Sequence, residues 1–199
     1  TDKKSSRKIK YKKIPRVHTF EKENQNMKVM NPVLPGFNPD PSLVRVGDDY
    51  YIATSTFEWF PGICIHHSKD LVNWEILSYA LTDETKFDIK GMDTACGIWA
   101  PNLTYDNGTF YLIYTIVYTN RHRFKDTHNF MVTASDPKGP WSDPIPLNKM
   151  GFDPSLFHDP DGTKWLVNML FDYRLDHKRF GGVGVQQYDP ETKKLVGPV

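Results

Sequence analysis

Long apolar runs are missing from this chain. No stretch approaches the roughly 18 residues that a membrane-spanning helix needs, so no helical anchor is read in it and no membrane partner is expected. No apolar signal core lies near the N-terminus, and a cytoplasmic location is expected. Cysteine is scarce. Cys64 and Cys96 are the only two, their separation is not that of a metal site, and free buried thiols are expected rather than a disulfide. Asn102-Leu103-Thr104 and Asn107-Gly108-Thr109 fit the glycosylation sequon, but without a secretory signal both read as chance. The net charge is only +1, yet it is unevenly placed. Residues 1–30 hold ten Lys or Arg and three Asp or Glu, which leaves the remainder acidic. Residues 1–29 have no apolar periodicity and read as a flexible basic leader, with Met30 as the natural start. A nucleic-acid arm would need a recognition module downstream; none follows, so no nucleic-acid partner is expected.

What the chain does have is a repeat. Pro-x-Leu recurs at Pro41-Ser42-Leu43, Pro101-Asn102-Leu103 and Pro154-Ser155-Leu156. A glycine-containing turn follows each: Gly47-Asp48-Asp49, Asp106-Asn107-Gly108 and Asp161-Gly162. An aromatic and β-branched run follows each turn, beginning at Tyr50, Phe110 and Trp165. Apolar run, turn and apolar run predict a β-hairpin. A further strand closes the first two units, introduced by Ser68-Lys69-Asp70 up to Trp74 and by Ser135-Asp136 up to Trp141, with Tyr188-Asp189-Pro190 a weaker third copy. Units of roughly 50–60 residues, all β, predict propeller blades, and a ring usually takes four to eight of them. Three are present, so the expectation is part of a propeller, with residues 30–199 as its N-terminal portion.

Two of the repeats carry the same acidic turn, Asn38-Pro39-Asp40-Pro41-Ser42 and Phe152-Asp153-Pro154-Ser155-Leu156. Hydrolysis of a glycosidic bond needs a protonated carboxyl at the leaving oxygen and an ionised carboxylate on the opposite face. A lone Asp-Pro-Ser is a capped turn. Two at matching places in repeated units can aim two carboxylates at one axis. The proline after each aspartate biases it to extended backbone. Phe57-Glu58-Trp59-Phe60-Pro61-Gly62 and Gly97-Ile98-Trp99-Ala100-Pro101 offer aromatic faces of the kind on which sugars stack, although such residues pack cores equally well.

From Asn31 onward the chain resembles the N-terminal part of a glycoside hydrolase family 43 β-xylosidase. The resemblance rests on Asn31-Pro32-Val33-Leu34, Gly36 to Ser42, Gly47 to Gly62, His67 to Trp74, Gly97 to Pro101 and Gly151 to Asp159, in that order. It implies a five-bladed β-propeller with the site at its axis, usually followed by a β-sandwich. It implies an inverting, exo-acting enzyme that releases xylose from xylo-oligosaccharides. By the same resemblance Asp40 matches the general base. Asp153 matches the carboxylate that orients the acid and raises its pKa. Phe57 and Trp99, with Ala100 beside them, match the lining of the terminal-sugar subsite. Phe171 falls where relatives often place a tryptophan near the leaving-group sugar.

The family's general acid, a glutamate before Gly-Pro-His or Ala-Pro-His, has no counterpart here and is expected beyond Val199. Some relatives hold an axial calcium; its ligands would lie mostly in that further part, and no cofactor or metal ligand is assigned in this chain. An α-L-arabinofuranosidase and a non-catalytic or decayed sugar-binding propeller are the alternatives. Whether the full-length enzyme is a homo-oligomer is left open. His66 and His67 read as structural, and nothing in the spacing assigns His128. The basic run Arg121-His122-Arg123-Phe124-Lys125 reads as a solvated face. Asp159-Pro160-Asp161-Gly162 reads as a hairpin turn rather than a calcium loop.

Overall fold

Turn chemistry sets the strand pairs. A computed structural model describes residues 29–199, so the proposed leader falls almost wholly outside the described residues. Strand β1 (Ser42–Val46) turns through Gly47 and Asp48 into β2 (Asp49–Thr54), with Gly47 at φ 61°. Strand β5 (Gly97–Asp106) turns through Asn107 and Gly108 into β6 (Thr109–Thr119). Both of those turn residues have positive φ, 47° and 82°, as a tight type I′ hairpin requires. Strand β9 (Ser155–His158) reaches β10 (Lys164–Phe171) through the Asp159–Thr163 loop. There the Gly162 N–H donates to the Asp159 carbonyl at 2.9 Å, and the Asp159 N–H to the Thr163 carbonyl at 2.8 Å. The acidic loop is a hairpin turn, as expected.

Each hairpin gains two more antiparallel strands. β3 (Gly62–Ser68) and β4 (Glu75–Leu81) complete the first sheet. β7 (Asp126–Ala134) and β8 (Ile145–Pro146) complete the second. β11 (Phe180–Asp189) and β12 (Lys194–Val196) complete the third. The result is three four-stranded sheets, each paired in chain order, and no helix among the described residues. These are three propeller blades, and the third copy of the closing turn, at Asp189, is present.

The blades stack through both faces of the middle one. Along β6, Leu112, Tyr114 and Ile116 pack with Ala53, Ile63 and Ile65 of the first blade. Ile113, between them in sequence, packs with Leu156, Leu166 and Tyr188 of the third. Alternation with period two sends successive side chains to opposite faces, so a strand buried on both sides is apolar throughout. Polar links join the same surfaces. Ser42 Oγ accepts the Leu103 N–H at 2.9 Å, and Asn102 Oδ1 accepts the Leu156 N–H at 3.0 Å. The middle residue of the first and second Pro-x-Leu therefore ties its blade to the next. Cys64 and Cys96 are free and buried.

A charged knot sits between the second and third blades. Lys164, with its side chain 6% exposed, donates to Asp106 Oδ2 at 2.5 Å and lies 3.0 Å from His158 Nδ1. His158 Nε2 reaches Thr104 Oγ1 at 2.9 Å. The ammonium also lies 5.0 Å from the centre of the Tyr111 ring. Hydrogen bonding to Lys164 holds Asp106 below the usual carboxylate range. Replacing Lys164 with Met keeps the apolar stem and strands the carboxylate. The expected loss is about 2 kcal/mol by chemical denaturation, below the range for a fully buried pair because Asp106 keeps 27% of its side-chain surface. Unchanged stability would show that the knot contributes nothing net.

Candidate active site

The site starts from two copies of one strained turn. Asp40 has φ 52° and Asp153 has φ 53°. The extended backbone expected before proline is therefore not what forms. Both aspartates enter the left-handed region, which Asp tolerates better than most residues. The same cross-strand bond closes each turn. The Ser55 N–H donates to the Pro39 carbonyl at 3.1 Å, and the Met169 N–H to the Phe152 carbonyl at 3.2 Å. Each aspartate thus stands just before the innermost strand of its blade, one blade apart. In the blade between them the matching residue before proline is Ala100, beside a bulge in β5 between Trp99 and Asn102.

The Asp153 carboxyl responds to its surroundings. Burial pushes the Asp153 carboxyl up, and the negative charge of Asp40 pushes it the same way. The second cause places both groups in one electrostatic environment, although 113 positions separate them in sequence (153 − 40). Asp40 is held from the side, since Ser55 Oγ donates to Asp40 Oδ2 at 2.7 Å. The sequence reading did not single out Ser55.

An aromatic arc spans the three blades beside the carboxyls. Ring centroids run from Phe37 to Phe57 at 5.9 Å, Phe57 to Trp99 at 6.3 Å, Trp99 to Phe152 at 5.5 Å, and Phe152 to Phe171 at 5.7 Å. Phe124 and Tyr173 extend it from Phe171. Phe57 is positioned by force. Its φ is 49°, and it exchanges two backbone bonds of 2.9 Å with Ile98, the start of the second blade. Gly97 makes that bridge possible, because a Cβ there would collide with the Phe57 carbonyl and its own φ is 85°. The Trp99 indole N–H donates to the Ala95 carbonyl at 2.9 Å, which fixes the ring.

Of the residues expected from the sequence, Phe57, Trp99 and Phe171 share this arc with the carboxyl before which Phe152 stands. Phe171 is 8% exposed, so its ring is committed to packing, and Tyr173, 56% exposed, presents the open surface there. An open cavity of about 640 Å³ adjoins the arc, lined by Phe37, Phe57, Glu58, Trp59, Thr94 and Ala95. Neither carboxyl nor Trp99 lines it.

The basic run at 121–125 is a solvated face only in part: Arg121 and His122 are exposed, while Arg123, Phe124 and Lys125 are half-buried. Arg121 pairs with Asp93, and Arg123 donates to the carbonyls of Leu175 at 2.5 Å, Arg174 at 3.3 Å and His177. The Arg123 bonds tie the second blade's loop to the third blade's. The loop delivers Lys125 to the arc, with its ammonium 5.8 Å from the Trp99 centroid and 5.7 Å from that of Phe152. His66 is buried, His67 bonds Asp49 at 2.6 Å, and His128 bonds Asp126 at 2.9 Å. No group of three or more His, Cys, Asp or Glu among the described residues is placed to hold a metal ion.

With this geometry in hand, relatives can be set beside it. Residues 29–199 match the glycosyl hydrolases family 43. A xylosidase/arabinosidase 43B of Humicola insolens is 58% identical over 170 residues, which are 85% of this chain and 32% of that protein. A β-xylosidase of Bacillus subtilis is 55% identical over 86% of this chain and 32% of its own length. The crystal structure of a xylan β-1,4-xylosidase from Bacillus halodurans superposes with a TM-score of 0.84 at 61% identity, covering 86% of this chain and 33% of that one. The chain belongs to glycosyl hydrolases family 43, and it spans about a third of the length of these relatives.

The raised Asp153 carboxyl has a consequence for stability. The folded state holds that proton more tightly than the unfolded chain does. The resulting contribution is present below the ordinary carboxylate range and is lost as pH rises through the raised value. Ionised Asp153 therefore weakens the fold at neutral pH. Asp153→Asn is expected to raise Tm at pH 7 over the parent, and the gain should shrink below about pH 4. Calorimetry at both pH values checks this; a variant less stable than the parent at pH 7 would contradict it.

Proposed function

We propose that the whole protein bearing this chain is an inverting, exo-acting glycosidase that releases xylose from the non-reducing end of β-1,4-xylo-oligosaccharides. The observation that carries the reading is the pair of matched turns, with Asp40 and Asp153 at the same strained φ and in mutual electrostatic range, against one aromatic arc. Asp40 is the base that takes a proton from the attacking water. Asp153 acts by its charge on the acid, since a like charge nearby disfavours ionisation. Phe57 and Trp99 offer the terminal sugar its apolar contacts, Ala100 leaves room beside them, and Phe171 backs the leaving-group side. The proton donor in this reading is a glutamate outside the 199 residues, so the 199-residue chain alone is expected to be silent. The names of the relatives cited support xylosides as substrates.

A second reading, α-L-arabinofuranoside hydrolysis, is favoured by the double name xylosidase/arabinosidase carried by two relatives, 58% and 42% identical to this chain. Chromogenic β-D-xyloside and α-L-arabinofuranoside, assayed on the whole protein, separate the two. The xyloside is expected to be the better substrate, with the released sugar inverted by NMR. Hydrolysis of neither would support a non-catalytic propeller. Asp40→Asn keeps the side chain's shape and removes the proton acceptor, and turnover is expected to fall about 10²–10⁴-fold. Near-normal turnover in that variant would overturn the base assignment.

A further inference from the structure

Asp40 and Asp153 stand in copies of one turn, yet the residue across the strand pair differs. Register pairs Ser42 with Ala53 and Ser155 with Val167. Two steps back along the inner strand, Asp40 meets Ser55 and Asp153 meets Met169. Both partners close the turn with the same backbone bond. Only Ser55 adds a side-chain donor, at 2.7 Å from Asp40 Oδ2, and Ser55 is 1% exposed, so packing fixes its hydroxyl. A thioether offers no donor hydrogen, and Asp153 has no side-chain hydrogen-bond partner among the described residues. The middle blade supplies a control. Thr115 pairs with Trp99, the neighbour of Ala100, in a blade with no carboxylate before its proline, and its hydroxyl donates to Asn129 Oδ1 at 2.7 Å instead.

We propose that Ser55 is the positioning residue for Asp40, and that the Ser55-for-Met169 difference divides the labour between two otherwise equal aspartates. A carboxylate turns easily about its last side-chain torsion, whose minima are broad. A donor on Oδ2 fixes the plane and leaves Oδ1 to face the attacking water, which is what a base requires. Asp153 works through its charge, which does not depend on which oxygen faces where, and it tolerates a partner that cannot donate. This inference rests on the reading of Asp40 as the base.

The test compares Ser55→Ala, Ser55→Cys and Ser55→Thr with the parent and with Asp40→Asn, in the whole protein, on the chromogenic xyloside. A hydrogen bond to a charged group, lost only from the base's orientation, predicts that Ser55→Ala lowers kcat about 10- to 100-fold with KM within about twofold of the parent. Ser55→Thr retains the hydroxyl and is expected to recover most of that loss. Ser55→Cys keeps the volume with a weak donor and is expected to fall between. Should the Ala variant fail to fold, the Cys and Thr pair decides. Ser55→Ala at more than half the parental kcat would overturn the inference, as would folded Thr and Cys variants as slow as Ala. If Asp40→Asn is itself near normal, the base reading fails first. If Asp40→Asn is slow while Ser55→Ala is normal, only the positioning role fails.

Discussion

A four-stranded blade has two apolar faces and no means of covering either by itself. Stacking blade on blade is the constraint from which the rest of this molecule follows. It explains why β6 is buried without a break from Leu112 to Val117 while β11, in the outermost of the described blades, exposes Val183 and Val185. Stacking also brings inner strands close enough that a side chain on one must satisfy the backbone of the next. Ser42 and Asn102 do this for Leu103 and Leu156. A backbone N–H left in that seam without an acceptor would be costly. The seam bonds fix how each inner strand meets its neighbour, and the turns that carry Asp40 and Asp153 sit at the ends of those strands.

Half of the eight non-glycine residues with positive φ among the described residues lie where the chemistry is proposed. Asp40, Phe57, Ala95 and Asp153 all have positive φ, a conformation that costs an ordinary residue roughly 1–2 kcal/mol. Each is held by something firmer than its own preference. The two aspartates are pinned by cross-strand bonds, and Phe57 by its two-bond bridge to Ile98. Ala95 lies where its N–H donates to Glu58 Oε2 at 3.1 Å and its carbonyl takes the Trp99 indole N–H. Packing elsewhere sustains these conformations, as expected where a site must be in place before its ligand arrives.

Much of this was legible because it is local. Glycine at Gly47, Gly108 and Gly162 announces turns whose chemistry does not depend on the rest of the chain. The repeated Asp-Pro-Ser announces a pair that a single copy could not. Ser55 was within reach but overlooked: counting back from the Gly47-Asp48 turn places it opposite Asp40, and the same count from the third hairpin reaches Met169. The polar run Thr54-Ser55-Thr56 carries no local signal, because its partners are not its neighbours in sequence. Lys125 and Arg123 were not legible in this way. Arg123 binds backbone carbonyls of a loop fifty residues on, and a carbonyl is the same in every residue. The left-handed turns were misread for a related reason. The rule that proline imposes on its predecessor is an average, and closure of the inner strand overrides it at both aspartates.

Ala100 shows why the middle blade differs from its neighbours. It occupies the position that is Asp40 in the first blade and Asp153 in the third, and the Pro-x-Leu that follows is intact. A third carboxylate there would lie between two others. One like charge, together with burial, already pushes Asp153 up, and a second would push further against ionisation of all three. A proposed base must stay ionised, so crowding would defeat the pair. Alanine also keeps the side chain next to Trp99 small. Both effects follow from one small side chain at one repeat position. The repeat supplies Pro-x-Leu three times, and its chemistry comes from what each copy places before that proline and across from it.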